Sequence, residues 1–185
     1  MKELYDNEFY KRNKKFQSAL ARALTPIIVK EFNPQSVIDF GTGCGHFLKT
    51  IGDACETEDI YGLNFPVPNA VADVPVIECD LSREVNFDRK FDLVISLEVA
   101  EHISESQADI FIGNLCNHGD IILFSAATVG QGGIGHVNEQ PHKYWHDKFY
   151  ERDYVLHDSI RPKIKHDKNI PFWYRQNIFI YKKEK

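Results

Sequence analysis

The sequence predicts a single α/β sandwich built around a mostly parallel sheet. Three observations predict it. Short apolar runs alternate with segments of helical period, the first run ends in a cluster of glycines, and two later runs are apolar almost throughout, as strands covered on both faces are. At 185 residues with 43% hydrophobic side chains, the chain suits one domain, residues 1–185, with one core.

Residues 7–32 place Phe9, Phe16, Leu20, Leu24, Ile27 and Ile28 at helical spacing, so residues 1–33 form a helical segment that packs on the core and bends or resets near Pro26. SVIDF (36–40) is a strand, GTGCG a glycine turn and HFLKTIGDAC a helix, which together make the first half of a βαβ unit. IYGLN (60–64) and VPVIECD (74–80) are two further strands. The proline-rich FPVPNAVAD between them has room only for a loop or an abbreviated helix.

FDLVISLEV (91–99) has the continuous apolar character of a central strand, and SESQADIFIGNLCNHG reads as a helix with a serine cap and a glycine stop. GDIILFSAA (119–127) repeats the buried-strand pattern. TVGQGGIGHVNEQP is a glycine-rich loop, and a short helix begins at PHKYWHDKFY. RDYVLHDSI and FWYRQNIFIYKK, joined by a charged connection, close the sheet as an antiparallel pair.

No apolar run approaches the roughly 20 residues that cross a bilayer, and the first residues are polar where a secretion signal is apolar, so a cytoplasmic protein with no membrane partner is expected. Cys44, Cys55, Cys79 and Cys116 form no CxxC pair, which argues against a zinc knuckle or a disulfide framework. Charge is uneven. Residues 1–30 carry seven basic against three acidic side chains and residues 143–185 eleven against six, while residues 31–142 carry four against eighteen. Basic ends around an acidic centre are either solvated surfaces or a rim that favours an anionic partner.

The strongest local signal is Val37-Ile38-Asp39-Phe40-Gly41-Thr42-Gly43-Cys44-Gly45, a strand that runs into acid-x-G-x-G-x-G. Glycines there let the backbone turn sharply against a ligand, and the helix that follows offers free N–H groups to an anion. The spacing lacks the two-residue gap of the dinucleotide fingerprint GxGxxG, and the acid precedes the glycines, which points away from NAD. Asp39 and Asp80 fall at ends of successive strands, the edge at which open parallel sheets bind ligands.

VIDFGTGCG resembles motif I of class I S-adenosylmethionine-dependent methyltransferases, and the likeness runs along nearly the whole chain. CDL (79–81) resembles the segment in which an Asp accepts from the adenine amino group beside an apolar residue. FDLVISLEVAEHI resembles the fourth-strand segment of the branch that carries EVxEH. The resemblance implies a Rossmann-like three-layer sandwich, with a seven-stranded sheet, an antiparallel last strand and abbreviated crossover helices. It implies S-adenosylmethionine as cofactor, held by Asp39, Gly41, Thr42, Gly43, Gly45, Asn64, Asp80, Leu81 and Glu98. Asn64 stands where the family usually has an acid for the ribose hydroxyls, so a charge is missing at that contact.

Transfer of a methyl group requires donor and acceptor to be held in contact, with a base only where the acceptor has a proton to lose. Candidate bases are His136, Glu139 and His142, in a segment where Gly130, Gly132, Gly133 and Gly135 would make a lid. The acceptor is expected to be a small or glycan-like molecule with an O or N nucleophile, bounded by the N-terminal helix, the 126–145 loop and the 161–171 connection. A second reading stays open. Glu98, Glu101 and His102 with His142 are similar to the divalent-metal site of small-RNA 3′-terminal 2′-O-methyltransferases, which would make RNA the acceptor. A third is a non-catalytic module of the same fold that binds cofactor or partner. Oligomeric state is not legible.

Overall fold

The computed structural model describes residues 7–65 and 74–184, with residues 7–15 by their backbone alone. Its elements are α1 (Asn7–Phe32), β1 (Val37–Phe40), α2 (His46–Cys55), β2 (Ile60–Asn64), β3 (Val76–Glu78), β4 (Leu93–Leu97), α3 (Ala108–His118), β5 (Ile121–Ser125), α4 (His142–Tyr150), β6 (Tyr154–His157), α5 (Arg161–Ile164), α6 (Phe172–Asn177) and β7 (Phe179–Lys183). Two single 3₁₀ turns, Ala100–His102 and Glu105–Gln107, lie between β4 and α3.

Among the described residues, seven strands form one sheet in the order β3-β2-β1-β4-β5-β7-β6. All neighbours pair in parallel except β7, which runs antiparallel to β5 and to β6. Alternate residues of each strand serve opposite faces. Val37, Leu93, Ile95, Leu123 and Ile180 meet Leu20, Leu24 and Ile28 of α1 with Leu48 and Ile51 of α2. Ile38, Val94, Ile122, Phe124 and Tyr181 meet Phe111 and Leu115 of α3 with Trp145 and Phe149 of α4. The result is a Rossmann-like sandwich of three layers, and both faces of β4 and β5 are covered, which is why those strands read as unbroken apolar runs.

Several expectations change. Helix α1 runs continuously through Pro26, without the reset, because Leu24 and Ile28 on either side are both fully buried against the sheet and α2. The run FWYRQN is α6, a helix started after Pro171, and only Phe179–Lys183 pairs as a strand. The polar connection before it holds the single turn α5. Gly119 does end α3, in extended backbone. A glycine is needed there for proximity, since a Cβ would lie 2.6 Å from Val94 and 2.8 Å from the Phe91 carbonyl. Ser104 precedes a 3₁₀ turn and makes no side-chain cap to the backbone. The expected loop between β2 and β3 falls almost wholly on residues 66–73, outside the described residues. Among the described residues no helix is long and apolar enough to cross a membrane.

Candidate active site

The carboxyl end of β1 leads into the glycine turn, β2 lies beside it, and Val99, just past β4, packs against Gly41. The N–H groups of Gly41 and Thr42 both donate to Leu63 O, at 2.8 and 3.1 Å, which ties the turn to β2. Gly41 sits at φ 92, a backbone state side chains rarely adopt, and a Cβ on it would lie 2.3 Å from Val99. Gly43, at φ 56, has open space above it except for the Gln17 amide of α1, 3.1 Å from where a Cβ would stand. Helix α2 then begins on Gly45, which offers no side-chain cap.

Asp39 lies behind this turn, 4% exposed. Burial pushes its carboxyl up to about 7, and the adjacent Thr42 side chain opposes the shift. At the ends of β2 and β3, Asn64 is half-buried and accepts from Cys79 N–H through its carbonyl at 3.0 Å. Asp80 Oδ1 accepts from the Ser82 hydroxyl at 2.6 Å and from Ser82 N–H at 3.0 Å, while Arg83 stands 3.2 Å from Oδ2. These contacts, the Ser82 hydroxyl foremost, hold Asp80 below the usual carboxylate range. Leu81 is almost fully buried in the α3-side core, so it presents little surface to a ligand.

Glu98 leaves β4 at φ 56, with its N–H donated to Ser125 O at 3.0 Å. Its Oε2 accepts from Gln131 Nε2 at 2.8 Å, Gln131 Oε1 accepts from Asn177 Nδ2 at 2.8 Å, and Asn177 Oδ1 accepts from His142 Nε2 at 3.0 Å. This relay joins the loop after β5, the end of α6 and the start of α4 to one carboxyl. Burial raises the Glu98 pKa, while Gln131 and Ser125 act in the other direction.

Glu101, in the turn after β4, is fully buried, with no side chain hydrogen-bonded to its carboxyl among the described residues and only its own N–H and that of Ala127 nearby. Burial, then the nearby Glu98, pushes its pKa well up. His102 donates from Nδ1 to Gly135 O at 3.0 Å, and His136 donates from Nδ1 to Glu139 Oε1 at 2.7 Å. Nε2 of His136 is 3.9 Å from Glu101. One ligand atom from each of Glu101, His102 and His136 falls within 4.8 Å of the others. The structure therefore groups Glu101 and His102 with His136, and not with Glu98 and His142, which are both taken up by the relay. Glu139 holds the glycine-rich loop as well, accepting from Gly130 and Gly132 N–H at 2.8 and 2.7 Å.

Sequence reasoning missed Tyr174, Gln131 and Asn177. The Tyr174 phenol is pushed well above its usual range by burial first, then by the charges of Glu98, Glu101 and Asp39. Its neighbour Trp173 meets Phe16 of α1 edge-on, ring centroids 5.9 Å apart, and α1 with α6 thus walls the site on one side. The signal for Tyr174 was the aromatic run after Pro171, which strand propensity obscured.

No family model matches the chain, and no curated protein matches it by sequence. Solved structures do. The chain is similar to the sugar N-methyltransferase KedS8 from Streptoalloteichus sp ATCC 53650, at 12% identity, over 97% of this chain and 92% of that one, with a TM-score of 0.72. It is similar to magnesium protoporphyrin IX methyltransferase from Synechocystis PCC 6803 with bound SAH, at 14% identity, over 90% and 83%, with a TM-score of 0.67. It is similar to the methyltransferase domain of bacterial CtHen1-C, at 14% identity, over 92% and 100%, with a TM-score of 0.65. The fold is that of the Rossmann-like methyltransferases.

Proposed function

We propose that this chain binds S-adenosylmethionine and transfers its methyl group to an oxygen or nitrogen nucleophile of a small-molecule or glycan-like acceptor. The observation that carries the reading is the left-handed glycine turn, fastened to β2, backed by buried Asp39 and open above Gly43. The residues fit the cofactor: backbone approaches closely at Gly43, and the N-terminus of α2 follows directly on the turn, where the helix dipole favours a carboxylate. Asn64 and Asp80 stand at the next two strand ends, for the ribose and adenine. The sulfonium supplies an electrophilic methyl carbon.

The chain's own side chains orient the acceptor and take its proton. Glu139 fixes the His136 ring so that Nδ1 carries the proton and Nε2 is the basic nitrogen. The relay fixes Glu98. Calorimetry with S-adenosylmethionine and S-adenosylhomocysteine tests the reading. Micromolar binding that Gly43→Val removes is expected, and no binding of either compound at sub-millimolar concentration would refute it.

A second reading is favoured by one arrangement: metal-assisted transfer to an RNA ribose hydroxyl, within the EVxEH-bearing branch. A fully buried carboxyl with no side-chain hydrogen-bond partner lies beside two imidazoles, each tied at Nδ1 by an oxygen acceptor, which is how metal-binding histidines are oriented. Glu101, His102 and His136 would hold the ion, which would lower the pKa of a bound hydroxyl. Loss of turnover on chelation, and methyl label recovered in RNA, would support this reading. Turnover that is unchanged by chelator and by Glu101→Gln would dispose of it.

A further inference from the structure

A cavity of about 450 Å³ opens between the loop after β5, the start of α4 and the α5–α6 connection, lined among others by Thr128, His142, Arg161, Lys165, Arg175 and Asn177. Its size suits a small ligand. Its cations differ in what they do. Arg161 is spent on the protein: Nε and Nη2 hold both oxygens of Asp158 at 2.8 and 2.7 Å, and the guanidinium covers the Phe179 ring at 4.0 Å. Arg175 is different, since Nε and Nη1 donate only to the carbonyls of Ile170 and Lys165, at 3.0 and 2.9 Å. Among the described residues neither Arg175 nor Lys165 has a carboxylate within 4.0 Å, as the ion pairs show. The cavity wall thus carries two cations outside any ion pair, an exposed lysine and a guanidinium fixed by backbone carbonyls, beside Asp158, which also lines it but is held by Arg161.

The same wall reaches the methyl-transfer site. His142 and Asn177 line the cavity and are also the first two members of the relay that ends on Glu98. We infer that this cavity is the subsite for an anionic group, a phosphate or a carboxylate, on the small molecule that accepts the methyl group. The inference rests on the methyltransferase reading for its purpose, and on the cavity alone for its chemistry. The acceptor places its anion on Arg175 and Lys165 and extends its nucleophile past Asn177 toward Glu98. Carboxylate or phosphate geometry suits a guanidinium fork, and a neutral acceptor would leave both cations unmatched.

Calorimetry on the full chain, with and without S-adenosylhomocysteine, tests this with inorganic phosphate and succinate as probes at low ionic strength. Saturable binding of at least one probe is expected, and which one saturates identifies the group. Lys165→Glu is the informative variant, because Arg175 uses only the backbone carbonyl of residue 165 and keeps its place. It should weaken the probe at least about fivefold, while Lys90→Glu, in an ion pair with Asp120 away from the cavity, should change it less than about twofold. Arg175→Gln should weaken it further, with the melting temperature reporting any damage to the connection. Absence of saturation by either probe at about 10 mM, or equal effects of Lys165→Glu and Lys90→Glu, would overturn the proposal. Failure of S-adenosylhomocysteine to bind would instead remove the methyltransferase reading and leave the probe data to stand or fall by themselves.

Discussion

His136 donates from Nδ1 to Glu139 Oε1 at 2.7 Å, and through that carboxylate it is coupled to the backbone of Gly130 and Gly132. A loop rich in glycine is expected to move freely. Here one carboxylate gathers three donors and gives the loop a fixed shape, with the imidazole aimed at Glu101.

Glu139→Ala should therefore act twice. Hydrogen exchange at Gly130 and Gly132 should accelerate, and turnover should fall about tenfold or more as the ring loses its orienting partner. Unchanged exchange at both glycines would mean that the loop is held by something else.

Asn177 is 2% exposed and serves as donor to Gln131 and acceptor from His142. Asn177→Ala strands a part-buried donor on His142 and a part-buried acceptor on Gln131, so a loss of about 1 kcal/mol in denaturant unfolding is expected. A loss below the error of that measurement would show that water replaces the amide at no cost.

Asp39 carries a pH dependence whose sign is fixed by its burial. Its carboxyl is raised from 3.8 to about 7 in the folded chain, so the folded state binds a proton more readily than the unfolded state does. Its contribution is fully favourable below pH 3.8 and is lost as pH rises to about 7, a change on the order of 4 kcal/mol at most. Asp39→Asn should stabilise the cofactor-free chain at pH 8 and flatten the stability profile between those values. Identical profiles for variant and parent would contradict the burial argument.

Gly62, on β2, touches the glycine turn: a Cβ there would lie 2.4 Å from Thr42 Cγ2 and 2.9 Å from its Cβ. Gly62→Ala should cost about 1–3 kcal/mol, and Thr42→Ser, which removes Cγ2, should recover part of it. Additive effects in the double-mutant cycle would show that the clash is relieved elsewhere.

The sheet was legible because its signals are local. VIDF followed by GTGCG, and the unbroken runs LVISL and IILFS, specify a strand whatever surrounds them, and the order of elements then restricts the topology. FWYRQN was misread because aromatic residues favour strands in general, whereas this segment is helical where Trp173 must reach Phe16. Asp39, Glu98 and Glu101 were found because motifs carry them. Tyr174, Gln131 and Asn177 belong to no motif, and they enter the site through a register of α6 and a loop path that only the assembled fold defines. His136 and His142 were both visible, six positions apart, but spacing does not say which one turns toward Glu101.

The placement of β7 has a consequence for the order in which the molecule is made. Among the described residues strand β6 pairs only with β7, and β7 fills the gap between β5 and β6. During synthesis β6 emerges about twenty residues before the one strand able to receive it. Until Phe179–Lys183 arrives, β5 is an open edge that presents apolar residues on both faces, and β6 has no sheet to join. Ribosome-bound chains halted before residue 179 should therefore be the form most prone to aggregate, and those released just after residue 183 should not.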